Sequence, residues 1–251
     1  MDEKLPVIIS RGRDRDPAQE QFERDLVAAM GEFGLLEIVV APHLYDLSPE
    51  GSTLKYLRAI AGDMIVLSWL YARAAFWVLD ANRVTGRMGA TSFLPEEERE
   101  TESEEEARRS RIQPQRTIWC IDLRATDAVA RLVAEIERIL FVSGRIAALP
   151  PATTPASPGP ARLFDEQLAE RWYPVVDYGR CTHCRECVKF CRNGVFGLNQ
   201  QGTIGVVQPD ACRNCSPTCS WCCPARAIMF PQHQDPSVAG DGAAATDGIQ
   251  W

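Results

Sequence analysis

Histidine is scarce, with three in 251 residues, and none is spaced with a serine, cysteine or carboxylate to suit nucleophilic catalysis. The chain lacks both G-x-G-x-x-G and G-x4-G-K-[ST], which argues against the usual backbone cradles for nucleotide phosphates. Its most apolar stretch, Met64 to Leu79, is broken by Arg73 and falls short of the ~20 apolar residues that cross a bilayer, so no membrane span is expected. The opening MDEKLPVIIS has neither the basic start nor the apolar core of a secretory signal, and a cytoplasmic location is expected. Basic residues are in deficit, 27 against 34 acidic, for a net charge of −7. That balance excludes a dedicated nucleic-acid surface and leaves room for a basic partner.

What is present divides at the middle. The first half alternates β-branched runs with amphipathic stretches. Strands are expected at Leu5–Ser10, Leu36–Ala41, Asp63–Ser68 and Thr117–Leu123, with helices at Pro17–Phe33, Thr53–Ile60, Arg73–Asn82 and Asp127–Val142. Near-continuous apolar strands separated by helices describe a parallel sheet covered on both faces. An α/β domain is therefore expected over residues 1–145, with an acidic insertion at 95–112 built around EEERETESEEE. Residues 146–162, rich in Pro and Ala, read as a linker. A second domain is expected over 163–231, opening on a short helix at Leu163–Trp172, and 232–251 reads as a disordered tail.

Nine of the ten cysteines fall between Cys181 and Cys223. They run C-x2-C-x2-C-x3-C and then C-x2-C-x3-C-x3-C-P, a spacing at which thiolates wrap iron. Paired C-x2-C also binds zinc, but eight ligand-spaced cysteines without a partnering histidine favour iron–sulfur chemistry. The tenth, Cys120, lies inside an expected strand and reads as a small hydrophobe.

Tyr178–Pro231 resembles the bacterial-type two-[4Fe–4S] ferredoxin domain in its paired motifs, its closing Cys223-Pro224 and the following Ala227-Ile228. The resemblance implies a small α+β fold and two [4Fe–4S] clusters with crossed ligation. Cys181, Cys184, Cys187 and the distant Cys223 would hold the first, and Cys191, Cys212, Cys215 and Cys219 the second. The chain departs from that family in three places. Arg192 follows Cys191 where proline is usual, Ser216-Pro217-Thr218 carries one extra residue, and Cys222 is spare. Cys219 is preferred over Cys222 because Cys219-x3-Cys223-Pro224 keeps the closing register. With an acidic chain and Glu186 beside the ligands, low-potential clusters are expected.

In the first half, LPVIISRGRDRDPAQEQFERDL, EIVVAPHLYDLSPE and DMIVLSWLYARAAFWVLDAN together resemble the sirohydrochlorin chelatase-like α/β domain, of chelatase/flavodoxin-like class. Arg11-Gly12-Arg13 stands where that family has a metal-handling histidine, so the resemblance implies the fold and not the activity. The Arg11/Arg13 pair reads as solvated surface. His43 follows the second strand, at the end of a parallel sheet where ligands gather, but a lone loop histidine is more simply a hydrogen-bonded one. Trp69, Tyr71, Arg73, Phe76 and Trp77 read as core, as a cofactor pocket or as a docking face for the cysteine module, and Arg73 fits a pure core least well. His183 is expected to be exposed between two ligands, and His233 carries no role.

The combined expectation is a carrier that passes single electrons between redox protein partners and needs no catalytic residue. The alternative is an enzyme that binds a tetrapyrrole or other anionic cofactor near Arg11, His43 and Arg73 and draws electrons from the clusters. A third reading is an iron–sulfur sensor or assembly subunit.

Overall fold

The computed structural model describes residues 4–14, 16–31, 33–94, 116–146, 161–198, 202–213 and 217–241. The acidic run, residues 147–160 of the linker and Cys215 lie outside them. The chain divides into two compact units.

The first unit comprises residues 1–69, 86–95 and 113–168. Its sheet has six strands: β1 (Leu5–Ser10), β2 (Leu36–Ala41), β3 (Met64–Ser68), β4 (Arg87–Met88), β5 (Thr117–Asp122) and β6 (Arg162–Leu163). Their order is β4-β5-β3-β1-β2-β6, and every pairing is parallel. The central strands β1 and β3 are apolar up to a terminal serine because both faces are covered, and they are buried at every position. One face, with Val7, Ile9, Ile38, Ile65, Leu67 and Ile121, packs with Leu26 and Met30 of helix α1 (Pro17–Gly31) and Leu132, Ile136 and Ile139 of helix α4 (Val129–Val142). Cys120 alternates to the opposite face and is fully buried, as a small hydrophobe.

Local chemistry sets the helix starts. Pro17 opens α1, and the Asp16 side chain accepts the Ala18 amide at 2.8 Å. Helix α2 (Ser52–Ala59) has no cap from its own start and borrows one, the Glu166 carboxylate accepting the Thr53 amide at 2.6 Å and its hydroxyl at 2.9 Å. Burial pushes the Glu166 carboxyl up, but these bonds outweigh it and hold the group below its ordinary value. Two strands escaped the sequence reading, β4 and β6. Each is two residues long, too short to carry a period. Arg162–Leu163, at the junction expected between linker and cysteine domain, pairs with β2, and no helix follows it before Trp172.

The second unit comprises residues 70–85, 96–112 and 169–251. Helix α3 (Ala72–Ala81), encoded between β3 and β4, belongs here and packs on β7 (Val175–Val176). β7 pairs antiparallel with β10 (Ile228–Met229), and β8 (Phe196–Leu198) with β9 (Ile204–Val206). The core gathers Val176, Val195, Phe196, Ile228, Phe230 and Val238. The segment expected as a tail is described as far as Asp241. Asp235 caps a turn of helix at Pro236–Ala239, Val238 is buried, and Gly240 ends the turn with φ 107°. A Cβ on Gly240 would meet Met229 Sδ at 2.8 Å and Cβ of Ala74 in α3 at 2.9 Å, so this close approach requires glycine.

Candidate metal centre

The first cysteine run leaves β7 through a turn in which the Asp177 carbonyl accepts the amides of Arg180 at 3.2 Å and Cys181 at 3.0 Å. His183 and Arg185 then adopt left-handed φ of 56° and 68°, bending the chain about an exposed Cys184. A short helix at Glu186–Phe190 carries Cys187, whose carbonyl accepts the Cys191 amide at 3.0 Å. In the second run Cys212 closes a 3-10 turn at Pro209–Ala211, and Cys219 lies in a short helix at Thr218–Trp221. After Cys223 the chain reverses through Arg226, at φ 48°, and the Ala227 amide donates to Cys223 Sγ at 3.4 Å. Three of the four described non-glycine residues with positive φ therefore flank cysteines of the motif. Such conformations persist where surroundings over-determine them, and they concentrate at functional sites.

Cys181, Cys187, Cys191, Cys212, Cys219 and Cys223 all pack against the core of this unit. Cys222 is half-buried and is not among the side chains packed there, among the described residues. Burial pushes the Cys187 thiol up to about 11, and the nearby thiols of Cys181, Cys223 and Cys184 push the same way. Cys181 is raised by burial too, with Cys223 and Cys184 adding to it. Cys181 and Cys187 of one run thus both lie near Cys223 of the other. Backbone amides partly offset the rise, from His183 at Cys181 and Val188 at Cys187. Cys181, Cys187 and Cys223, packed on one apolar core and each offered an amide, with exposed Cys184 nearby, are donors of the kind that suit an iron–sulfur cluster. No three histidine, cysteine or carboxylate side chains converge on a point fit for a single ion, among the described residues. A cube instead spreads its thiolates over four separate iron atoms.

Arg73 proves to be part of this site. Its Nε donates to Asp177 Oδ2 at 2.6 Å and its Nη2 to the Arg226 carbonyl at 3.0 Å. The side chains of Arg73 and Asp177 are 8% and 7% exposed, so the pair is buried. Trp77, one turn along α3, packs edge-to-face on Tyr178 at 5.6 Å. The sequence flagged Arg73 as a poor fit to a core but held no signal that named its partner, 104 positions away.

The other half of the aromatic stretch behaves differently. Trp69 belongs to the first unit, where it packs edge-to-face on Phe22 and donates Nε1–H to Glu23 Oε1 at 2.7 Å. The same carboxylate oxygen accepts the Gly12 amide at 2.9 Å. A carboxylate therefore occupies the first-strand turn where an anionic cofactor would need that amide, and its charge opposes one. Arg13 is corrected from solvated surface: it makes two hydrogen bonds to buried Asp46, the one from Nε at 2.7 Å, and His43 Nδ1 lies 3.1 Å from the same carboxylate. Arg11 is half-buried and its amide bonds the Ala41 carbonyl at 3.0 Å. His183 is exposed, with Nδ1 3.9 Å from Cys181 Sγ. His233 lies beside Trp172 and Trp221 and accepts the Asp235 amide at 3.0 Å.

The chain is 39% identical over 80 residues to an uncharacterized ferredoxin of Methanocaldococcus jannaschii. The match covers 30% of this chain and 54% of that protein, so the chain spans about half the length of the relative it matches. No family model matches the chain, and no solved structure matches it. No helix is long and apolar enough to cross a membrane, among the described residues.

Proposed function

We propose that the protein is a cytoplasmic one-electron carrier holding two [4Fe–4S] clusters. Cys181, Cys184, Cys187 and Cys223 hold the first, and Cys191, Cys212, Cys215 and Cys219 the second. The observation that carries the reading is that Cys181, Cys187 and Cys223, from two segments far apart in sequence, pack against one core. The likeness to a ferredoxin supports it. When bound, such clusters supply reversible one-electron storage. The chain's own work is to fix the sulfurs, offer them amide hydrogens and exclude water with Val176, Ile228 and Phe230. No side chain needs to move a proton, and any chemistry on a substrate belongs to the redox partners that give and take the electron.

Anaerobic iron and sulfide analysis joined to electron paramagnetic resonance of the reduced chain tests the proposal. About eight iron atoms per chain with interacting cube signals are expected. A colourless preparation, or one carrying zinc, would refute it.

A further inference from the structure

Resting on that reading, we infer that Arg73 is a positioning residue for the first cluster, and that α3 serves the cysteine unit although it is encoded within the α/β half. The guanidinium spans the two segments that deliver the first thiolate set. Through Nε it holds Asp177, whose carbonyl anchors the Cys181 amide. Through Nη2 it holds the Arg226 carbonyl, and the next amide, that of Ala227, bonds Cys223 Sγ. One side chain thus ties the entry to Cys181 to the exit from Cys223. Those are the two pieces of chain that crossed ligation requires to meet.

The geometry suits arginine in particular. Its planar fork presents donors to two acceptors at once, whereas an ammonium is a single point charge that satisfies one of them well. Burial of the Asp177 carboxylate removes water as a substitute donor at that acceptor. The remaining contacts of α3 keep the fork in place: Trp77 against Tyr178, and Ala74 against the glycine turn at Gly240. None of the cysteines of the second set is joined to Arg73 by these bonds. The effect of losing it therefore falls on one cluster.

The full chain is prepared anaerobically as wild type, Arg73→Met, Arg73→Lys and Asp177→Asn, and each is measured for iron, sulfide, both midpoint potentials and far-ultraviolet circular dichroism. Arg73→Met is expected to lose about half its iron, with the surviving cluster at the wild-type midpoint of the second site. Arg73→Lys is expected to recover part of the loss and to shift only the first midpoint. Full iron with both midpoints unchanged in Arg73→Met overturns the inference. So does a parallel loss of both clusters, which marks a general support of the fold. If Arg73→Met does not fold, Arg73→Lys and Asp177→Asn decide by the same comparison: loss confined to one cluster upholds the inference, and equal loss or none overturns it. A wild-type chain that takes up no iron removes the parent reading and this one together, whereas a loaded wild type with indifferent variants removes this one alone.

Discussion

In the proposed second cluster Cys219 and Cys222 are rival candidates for one ligand position, and the local helix distinguishes them. Cys222 caps the Thr218–Trp221 turn in helical conformation, with φ −77° and ψ −9°, so it continues the same spiral. Three residues apart, the two side chains leave the axis roughly 60° from one another. Their bearing is pinned by buried Ser220, whose hydroxyl donates to the Ile228 carbonyl at 2.6 Å. With that rotation fixed, Cys219 packs against the core, as Cys191 and Cys212 do, and Cys222 is not among the side chains packed there. Replacing Cys222 with serine is expected to leave about eight iron atoms per chain. Replacing Cys219 removes one of four ligands, but a spare thiol stands one turn away, so the iron should settle between about four and eight. The double variant has no substitute and should fall to about four, the content of the first cluster alone. Iron and sulfide analysis of the three variants, with spin quantitation of the reduced samples, reads the result. A Cys222→Ser chain at half iron beside a fully loaded Cys219→Ser chain would reverse the assignment and refute the reasoning.

Glu135 is 3% exposed and accepts from Arg138 Nη2 at 2.7 Å and from Ser92 Oγ at 2.6 Å. Burial raises its carboxyl, but these bonds outweigh burial and hold it below 4.5, so its stabilisation is present above pH 4.5 and is lost as pH falls through the folded value. Glu135→Gln should lower stability at pH 7 by about 1–2 kcal/mol and flatten the acid limb of urea midpoints, and an unchanged acid limb counts against this. Arg185→Gln should lower the midpoint of the first cluster in a redox titration and Arg192→Gln that of the second, and a rise in either contradicts the charge argument given below.

The α/β half was legible because parallel strands buried on two faces have little choice of composition. LPVIIS and LEIVVA became β1 and β2 at the expected bounds, and Thr117–Asp122 ended one residue early. Elements lacking a period were hidden, as with Arg87–Met88 and Arg162–Leu163, which are strands only because β5 and β2 offer them edges. In Asp235-Pro236-Ser237-Val238-Ala239-Gly240 a cap, an N1 proline and a terminating glycine were all on view. The low complexity of the residues beyond them masked the signal. At the site, spacing alone nominated the thiols. Residues that act through tertiary partners were not nominated: Arg13 was set aside as surface, and Arg73 was noticed only as an anomaly. A buried ion pair is a property of two segments, and one segment carries half of it.

The net charge of −7 led toward low potentials and a basic partner, yet that total is not what the first thiolate set meets. Between Tyr178 and Pro231 the cations are Arg180, Arg185, Lys189, Arg192, Arg213 and Arg226, against only Glu186 and Asp210. Glu186 is spoken for, since Lys189 Nζ donates to it at 2.7 Å. Asp177, beside Cys181, is paired with Arg73, and charges farther off are screened over about 8–10 Å at ordinary ionic strength, so the acidic remainder of the chain acts weakly on the sulfurs. The exposed Arg185 stands one residue beyond Cys184 of the first set, and the exposed Arg192 one residue beyond Cys191 of the second. Four thiolates make a loaded cluster anionic, and adding an electron deepens that charge, so each adjacent cation favours the reduced form. By that argument the local residues would set the potential of the proposed first cluster above what the chain's net charge suggests. A partner approaching Cys184 also meets an arginine-flanked rim in place of an acidic one.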